Sequence, residues 1–126
     1  MIYKIFVGVA ATTTELQSFK AEFFKALAHP IRIRILELLR GHERGVRELQ
    51  AALDLDQSTV SQQLAVLRAK NVVVASREGT AVRYAIRDEA VGELLDVARR
   101  IFNNQLIGTQ TMLRALRREA RRPGRR

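Results

Sequence analysis

The stretch from residue 46 to residue 83 constrains the fold of this chain more than any other part of its sequence. It has the pattern of a short helix, a tight turn, a second helix rich in small polar side chains and a basic β-hairpin. In the second helix Val60, Leu64 and Leu67 recur at helical spacing, so they can face a core. The residues around them are uncharged hydrogen-bonding groups: Gln57, Ser58, Thr59, Ser61, Gln62 and Gln63. Such groups suit hydrogen bonding to base edges in a major groove, although for this helix alone a solvated polar face is the better explanation.

Helix start and stop signals predict two helices in the amino-terminal part of the chain. Residues 12–15 start a first helix with a threonine as N-cap. His29 and Pro30 open a second helix, because proline is tolerated at the first helical position, and Gly41 ends it. The first helix carries an apolar stripe of Leu16, Phe19, Phe23 and Leu27. The second helix is expected to have an inner face of Ile31, Ile35, Leu38 and Leu39.

Two more helices are predicted between residues 45 and 70. Gly45 begins a third helix, and Asp56 is a natural N-cap for a fourth that runs to about Lys70. Asn71 stands where a left-handed C-cap residue belongs. The third helix is expected to turn these residues inward: Val46, Leu49, Ala52 and Leu53.

A hairpin and a long last helix follow. A strand begins at residues 72–74, turns at residues 78–80 and returns over residues 81–86, and Asp88 starts the last helix. The apolar stripe of that helix is long: Val91, Leu95, Ala98, Phe102, Leu106, Leu113 and Leu116. One helix at the end of a small domain cannot cover so much apolar surface alone, and a second copy of the chain is the simplest cover for it.

The predicted fold is therefore mainly α with a small β-hairpin, and it is dimeric through its terminal helices. Residues 1–15 form an amino-terminal arm, extended at residues 2–7, before a domain over residues 16–118. A basic tail over residues 119–126 completes the organisation.

Charge and cysteine content narrow the function classes. The net charge is +9, and residues 114–126 hold seven arginines and one acid. This tail either follows phosphates on a nucleic acid or merely solubilises a frayed end, and the two interpretations stand equal. The chain has no cysteine, which fits a reducing interior. The apolar run near the start is too short to span a bilayer, so we expect a cytoplasmic protein without a membrane partner.

Three segments together resemble a known family. They are residues 26–39 (ALAHPIRIRILELL), the helix over residues 57–67 and the hairpin sequence of residues 76–79 (SREG). In this order and spacing they resemble the ArsR/SmtB family of bacterial winged helix-turn-helix transcriptional regulators, over about residues 16–106. The resemblance implies a dimeric repressor whose two fourth helices enter successive major grooves of a palindromic operator. The wings would touch the flanking backbone or minor groove.

The resemblance carries candidate DNA contacts onto particular positions. The six uncharged polar residues of the fourth helix match the DNA-facing helix of the family. Gln62 and Gln63 stand where many relatives have histidine, and a glutamine amide can pair bidentately with adenine. Arg77, Thr80 and Arg83 match the wing and are expected to contact phosphate. Arg68 is expected either to do the same or to hold an intramolecular ion pair.

The familiar metal sites of the family are not intact in this sequence. Gly45 and Arg47 occupy the places where the thiolate sensors carry cysteines. The last helix has carboxylates but no histidine, and carboxylates alone give little affinity for late transition metals. His29 and His42 are the candidate ligands for a divalent transition metal such as nickel or zinc, since imidazole suits these ions. A site at a dimer seam that draws on the amino-terminal arm also stays open.

The sequence supports three classes of function to different degrees. A sequence-specific transcriptional regulator explains the polar helix, the hairpin, the apolar stripe and the charge together. A DNA-binding subunit that takes its input from an effector protein elaborates this first class, and a low-specificity DNA-binding protein is a further alternative. An enzyme is the weakest interpretation, because we find no nucleophile–base pair and no phosphate-cradling glycine loop.

Overall fold

The structure is a computed structural model that describes residues 12–121. Its elements in chain order are α1 (Thr13–Leu27), α2 (Pro30–Leu39), β1 (Arg44–Gly45), α3 (Val46–Leu53), α4 (Gln57–Ala69), β2 (Val73–Glu78), β3 (Ala81–Ile86) and α5 (Ala90–Ala120). The chain divides into two compact units, and the boundary between them in the sequence falls between residues 89 and 90. The predicted class, mainly α with a small β wing, is confirmed. The extended arm predicted at residues 2–7 and the end of the basic tail lie outside the described residues.

Side-chain caps fix the helix starts that the sequence predicts. Thr12 caps α1 with a capping box, in which its hydroxyl accepts from the Glu15 N–H at 3.0 Å and the Glu15 carboxylate accepts from the Thr12 N–H at 3.4 Å. His29 caps α2 through Nδ1, which accepts from the Ile31 N–H at 3.1 Å. Asp56 caps α4 in the same way. These bonds satisfy amide groups that have no partner inside a helix.

Two positive φ angles set the path from α4 into the wing. Asn71 ends α4 with φ of 61°, as predicted, and Gly79 has φ of 60° in the turn between β2 and β3. Beyond Asn71, the Val72 N–H donates to the Leu67 carbonyl at 2.9 Å. The chain therefore reverses directly from α4 into β2, and the position of the wing follows from the end of this helix.

The core of the first unit lies between the end of α1, the helices α2, α3 and α4, and the start of β2. Its buried members are Ala26, Leu27, Ile35, Leu36, Leu39, Leu49, Leu53, Val60, Leu64, Leu67, Val72 and Val73. Val60, Leu64 and Leu67 are buried as the periodicity predicts. Ala52 was predicted to face inward and is exposed, and Leu16 of the apolar stripe on α1 is 49% exposed.

The sheet has three antiparallel strands in the order β1-β3-β2. Arg77 pairs with Val82 across the hairpin, and Gly45 pairs with Arg83. The sequence did not predict β1, because two residues are too few to show an alternating pattern. Its pairing joins the residue before α3 to the middle of the wing.

The second unit consists of the long helix α5 and the residues after it. The helix begins at Ala90 rather than at Asp88, and it continues to Ala120, past the predicted domain boundary at residue 118. Its large apolar side chains are exposed in the single chain: Val97, Ile101, Phe102, Leu106, Ile107, Met112, Leu113 and Leu116. In the described part of the chain, none of the helices has the length and apolar content needed to cross a membrane.

Candidate nucleic-acid interface

The polar residues of α4 lie together on one helix of 13 residues whose opposite side is buried. Gln57, Ser58 and Gln62 are exposed, whereas Thr59 and Ser61 are half-buried. The helix is anchored by the core on one side and presents uncharged donors and acceptors on the other. These side chains can therefore form hydrogen bonds with a bound partner without the cost of removing water from a charged group.

The N-cap of α4 adds a fixed negative charge beside this polar face. Asp56 Oδ1 accepts from the Thr59 N–H at 3.3 Å, and Asp56 Oδ2 accepts from the Ser58 hydroxyl at 3.1 Å. Hydrogen bonds from Thr59 and then from Ser58 lower the pKa of Asp56 below its ordinary value. The Ser58 hydroxyl is thereby oriented as a donor toward the cap, which leaves its oxygen lone pairs for another partner.

Gln63 differs from its neighbours on α4 because it already has a partner. Its side chain is half-buried, and its Oε1 accepts from Arg32 Nη1 at 2.8 Å. Arg32 lies on α2 and also donates from Nε to the Ala26 carbonyl at 2.7 Å. The structure therefore holds one of the two predicted base-reading glutamines in place and leaves Gln62 exposed.

The wing residues predicted to contact phosphate divide into two groups. Arg77 on β2 and Thr80 in the turn are exposed, and across residues 12–121 the Arg77 side chain makes no ion pair or hydrogen bond. Arg68 near the end of α4 is exposed as well and has no ion pair among the described residues. It lines an open groove with Tyr84 of β3.

Arg83 does not have the free guanidinium that the wing pattern predicts. Its Nη1 lies 2.5 Å from Glu48 Oε1, its Nη2 donates to the Glu43 carbonyl at 3.0 Å, and its Nε lies 3.6 Å from Glu43 Oε1. The side chain is 27% exposed. The Nε atom is buried and has no hydrogen-bond partner among the described residues, so Nη1 and Nη2 make the hydrogen bonds of this guanidinium. These bonds fasten β3 to the residues around the start of α3, and this argues against Arg83 as a phosphate contact.

Glu48 is the other half of this attachment. Its Oε1 accepts from the Gly45 N–H at 3.2 Å, so the carboxylate caps α3 while it holds Arg83. The hydrogen bond from Gly45 and then that from Arg83 lower the pKa of Glu48. One carboxylate therefore couples the start of α3 to the wing.

The described residues form no metal site around His29 or His42. In residues 12–121 there is no group of three or more histidine, cysteine or acidic side chains placed to hold a metal ion. The Nδ1 atom of His29 is occupied by its N-cap bond to Ile31, which leaves only Nε2 as a ligand atom. His42 is exposed in the loop after α2.

Sequence reasoning missed Arg32 and Glu48 as residues of the interface. Arg32 had a signal, because Arg32 and Arg34 are the two charged residues in the otherwise apolar stretch of residues 31–36, on a helix that packs in the core. Glu48 also had one, since it stands three residues after the N-cap position in the pattern of a capping box.

Comparisons with known proteins agree with this geometry. The family model described as "Bacterial regulatory protein, arsR family" matches residues 29–74, from the N-cap of α2 through α4 to the start of β2. Rv0081 of Mycobacterium tuberculosis strain H37Rv, named as an uncharacterized HTH-type transcriptional regulator, is 48% identical over 103 residues, which are 81% of this chain and 90% of the relative. The HTH-type transcriptional repressor SmtB of the same strain is 38% identical over 81 residues, 64% of this chain and 60% of the relative.

Solved structures show the same similarity. The crystal structure of M. tuberculosis Rv0081 has a TM-score of 0.69 to this chain at 49% identity, and the match covers 75% of this chain and 95% of the other. The solution structure of Mb0332 from Mycobacterium bovis has a TM-score of 0.70 at 32% identity, over 77% of this chain and 90% of the other. That domain is described as a homodimeric winged helix-turn-helix DNA-binding domain.

Proposed function

Because the chain belongs to the arsR family of bacterial regulatory proteins, we propose that it is a repressor in the bacterial cytoplasm that binds a palindromic operator as a homodimer. Family membership makes it a DNA-binding transcriptional regulator. The observation that supports sequence-specific reading is the uncharged polar face of α4, on a helix whose other side is anchored in the core. Two such helices related by a two-fold axis would require an operator with the same symmetry.

The proposed contacts separate into base reading and positioning on the backbone. The exposed Gln57, Ser58 and Gln62 lie on the helix that enters the major groove, where amide and hydroxyl groups distinguish base pairs. Arg68 in the last turn of α4 and Arg77 on β2 are exposed cations, and such groups fix the register on the duplex through phosphates. Basic side chains at these positions would give the affinity, and α4 would give the sequence preference.

The homodimer is supported by the uncovered apolar faces of α1 and α5. Leu106 on α5 is 62% exposed and Met112 is 64% exposed, and Phe19 on α1 is 49% exposed. A single chain has no use for so many large apolar groups in water, whereas a symmetric pair of chains would bury each of them against the other copy.

The first experiment is fluorescence anisotropy with the duplex upstream of the gene for this protein and a scrambled duplex of equal length. For a specific regulator we expect the two affinities to differ by roughly a thousandfold or more at moderate salt. A ratio near one on this duplex, and on duplexes selected from a random library, would contradict sequence-specific binding and favour a low-specificity DNA-binding protein.

Base reading by α4 is tested separately with Gln62→Ala. The variant should weaken operator binding by about 1–3 kcal/mol per contacted base pair and leave binding to the scrambled duplex unchanged. Equal losses on both duplexes would show that Gln62 does not read a base.

A metal input is tested by calorimetry with nickel and zinc. Such an input would draw on His29 or His42, and the double variant His29→Ser/His42→Ala removes both imidazoles while serine retains an N-cap for α2. Equal metal binding by the wild type and the variant would eliminate both histidines. Input from an effector protein would instead show as a partner that co-purifies at fixed stoichiometry and changes operator affinity.

A further inference from the structure

The guanidinium of Arg32 joins three elements of the first unit through three separate nitrogen atoms. Its Nε donates to the Ala26 carbonyl at 2.7 Å, and its Nη2 donates to the Lys25 carbonyl at 3.2 Å. Both carbonyls belong to the last turn of α1, where carbonyl groups have no partner four residues ahead. The remaining nitrogen, Nη1, donates to Gln63 Oε1 at 2.8 Å. The Nε and Nη2 atoms of Arg32 are therefore held by the carboxyl terminus of α1, and its Nη1 holds the Gln63 side chain of α4.

The bond to Arg32 decides which way round the Gln63 amide is held. A guanidinium has only donors, so the group facing it must be the oxygen of the amide and not the nitrogen. The Gln63 NH₂ is then turned away from Arg32. Because the donor is charged, this bond is stronger than one between neutral groups and resists an amide flip.

A glutamine held in this way offers different hydrogen bonds from a free one. A free glutamine reads adenine bidentately, accepting from N6 through its oxygen and donating to N7. One of the two lone pairs of Gln63 Oε1 accepts from the charged Arg32 and fixes the amide. The NH₂ has no partner in the described residues, so this side chain faces DNA chiefly as a donor. The matching groups in the major groove are acceptors, and guanine presents two of them side by side, O6 and N7.

We propose that Arg32 is a positioning residue that makes Gln63 read DNA through its NH₂ donor, which favours guanine over adenine at one base pair of each half-site. This inference rests on the proposed function, because it needs a specific operator. It differs from the sequence-based expectation that a glutamine amide at either position can pair bidentately with adenine. Gln62, which is exposed and has no such partner in the described residues, keeps both halves of its amide for DNA.

The first test uses Gln63→Glu, which keeps the shape of the side chain and strengthens its bond to Arg32. The carboxylate has acceptors only, so the base pair read by residue 63 should lose its preference for guanine by roughly 5- to 150-fold, the range of one bidentate contact. The operator is first selected from random duplexes with the wild-type protein. Competition binding with duplexes that carry one replaced base pair each then identifies the affected position. An unchanged preference at every position would overturn the proposal.

The second test removes the positioning residue. Arg32→Met keeps the apolar stem and frees the Gln63 oxygen, so the preference at that same base pair should move from guanine toward adenine. Arg34→Met is the matched control, because Arg34 is an exposed arginine on the same helix and its loss should lower affinity on all duplexes alike. A preference that is identical in the wild type and in Arg32→Met would refute the role of Arg32.

A third measurement does not depend on DNA. In ¹H–¹⁵N spectra of the free protein, Arg32→Met should shift the side-chain amide signals of Gln63 far more than those of Gln62, with the fold checked by its backbone signals. If no duplex binds specifically, the proposed function and the guanine selection fail together. If specific binding is present but the Gln63 amide does not respond to Arg32, only the present inference fails.

Discussion

Two arginines of the wing, Arg77 and Arg83, should contribute differently to DNA binding although both carry the same charge. Arg77 is exposed, and no described residue pairs with it. Arg83 is held by Glu48 and Glu43. A phosphate contact releases counterions, and this makes the affinity fall with salt, whereas an arginine neutralised inside the protein releases none. Arg77→Ala should therefore flatten the salt dependence, and Arg83→Ala should not.

The expected size follows from the symmetry of the dimer. Each phosphate contact adds about 0.9 to the slope of log K against log salt on B-form DNA, so loss of Arg77 from both protomers should lower the slope by about 1.8. Over a fourfold increase in salt this amounts to roughly a twelvefold smaller loss of affinity than in the wild type.

The assay is operator binding by anisotropy at several salt concentrations for the wild type, Arg77→Ala and Arg83→Ala. Arg83→Ala should weaken binding through displacement of the wing, with a slope parallel to that of the wild type. It should also lower the free energy of unfolding, because β3 loses its attachment to Glu48. Equal flattening by the two variants would refute the division of roles that the structure indicates.

Three further predictions concern the framework of the interface. Leu64→Ala should lower the free energy of unfolding in urea by about 2–5 kcal/mol, because Leu64 is only 1% exposed and its removal leaves a cavity; a loss no larger than that of a surface substitution would contradict its place in the core. Asn71 has φ of 61°, so Asn71→Gly should keep the stability of the wild type and Asn71→Val should lose about 1–2 kcal/mol, and equal stabilities would exclude a left-handed residue there. Hydrogen bonds from Thr59 and Ser58 lower the pKa of Asp56 from its ordinary value of 3.8, so the stability that this carboxylate contributes is complete above pH 3.8 and is lost as the pH falls through the lower, folded-state value. Asp56→Asn keeps an N-cap without a titrating group and should reduce the fall in unfolding free energy below that pH, whereas identical pH profiles would show that Asp56 does not contribute to it.

The parts of the fold that the sequence predicts are those set by near neighbours in the chain. The caps at Thr12, His29 and Asp56 each join residues no more than three positions apart, so composition and order are enough to predict them. The same holds for Asn71, whose side chain tolerates a left-handed backbone better than most others do.

The contacts that sequence reasoning missed join residues far apart in the chain. Arg32 and Gln63 are separated by 31 positions, and Arg83 and Glu48 by 35. Periodicity assigns a side chain to a face, but it does not tell which group packs opposite that face once helices and strands assemble. For this reason the sequence does not separate Gln63 from the other polar residues of α4, although among the described residues Gln63 has a partner and Gln62 has none.

The apolar stripe that the sequence predicts for α1 is only partly covered within the single chain. Leu16 and Phe19 are about half exposed. Periodicity detects an amphipathic helix without distinguishing a face that packs within the chain from one that packs on another chain.

The exposed apolar side chains of α5 also have a consequence for how the regulator responds to its own abundance. If these groups are buried only when two copies meet, the species that fits a palindrome is formed in proportion to the square of the monomer concentration while most chains are still single. Operator occupancy would then rise more steeply than linearly as the protein accumulates and fall just as steeply when cell division dilutes it. The length and composition of α5 would thus set the protein concentration at which the controlled gene is switched.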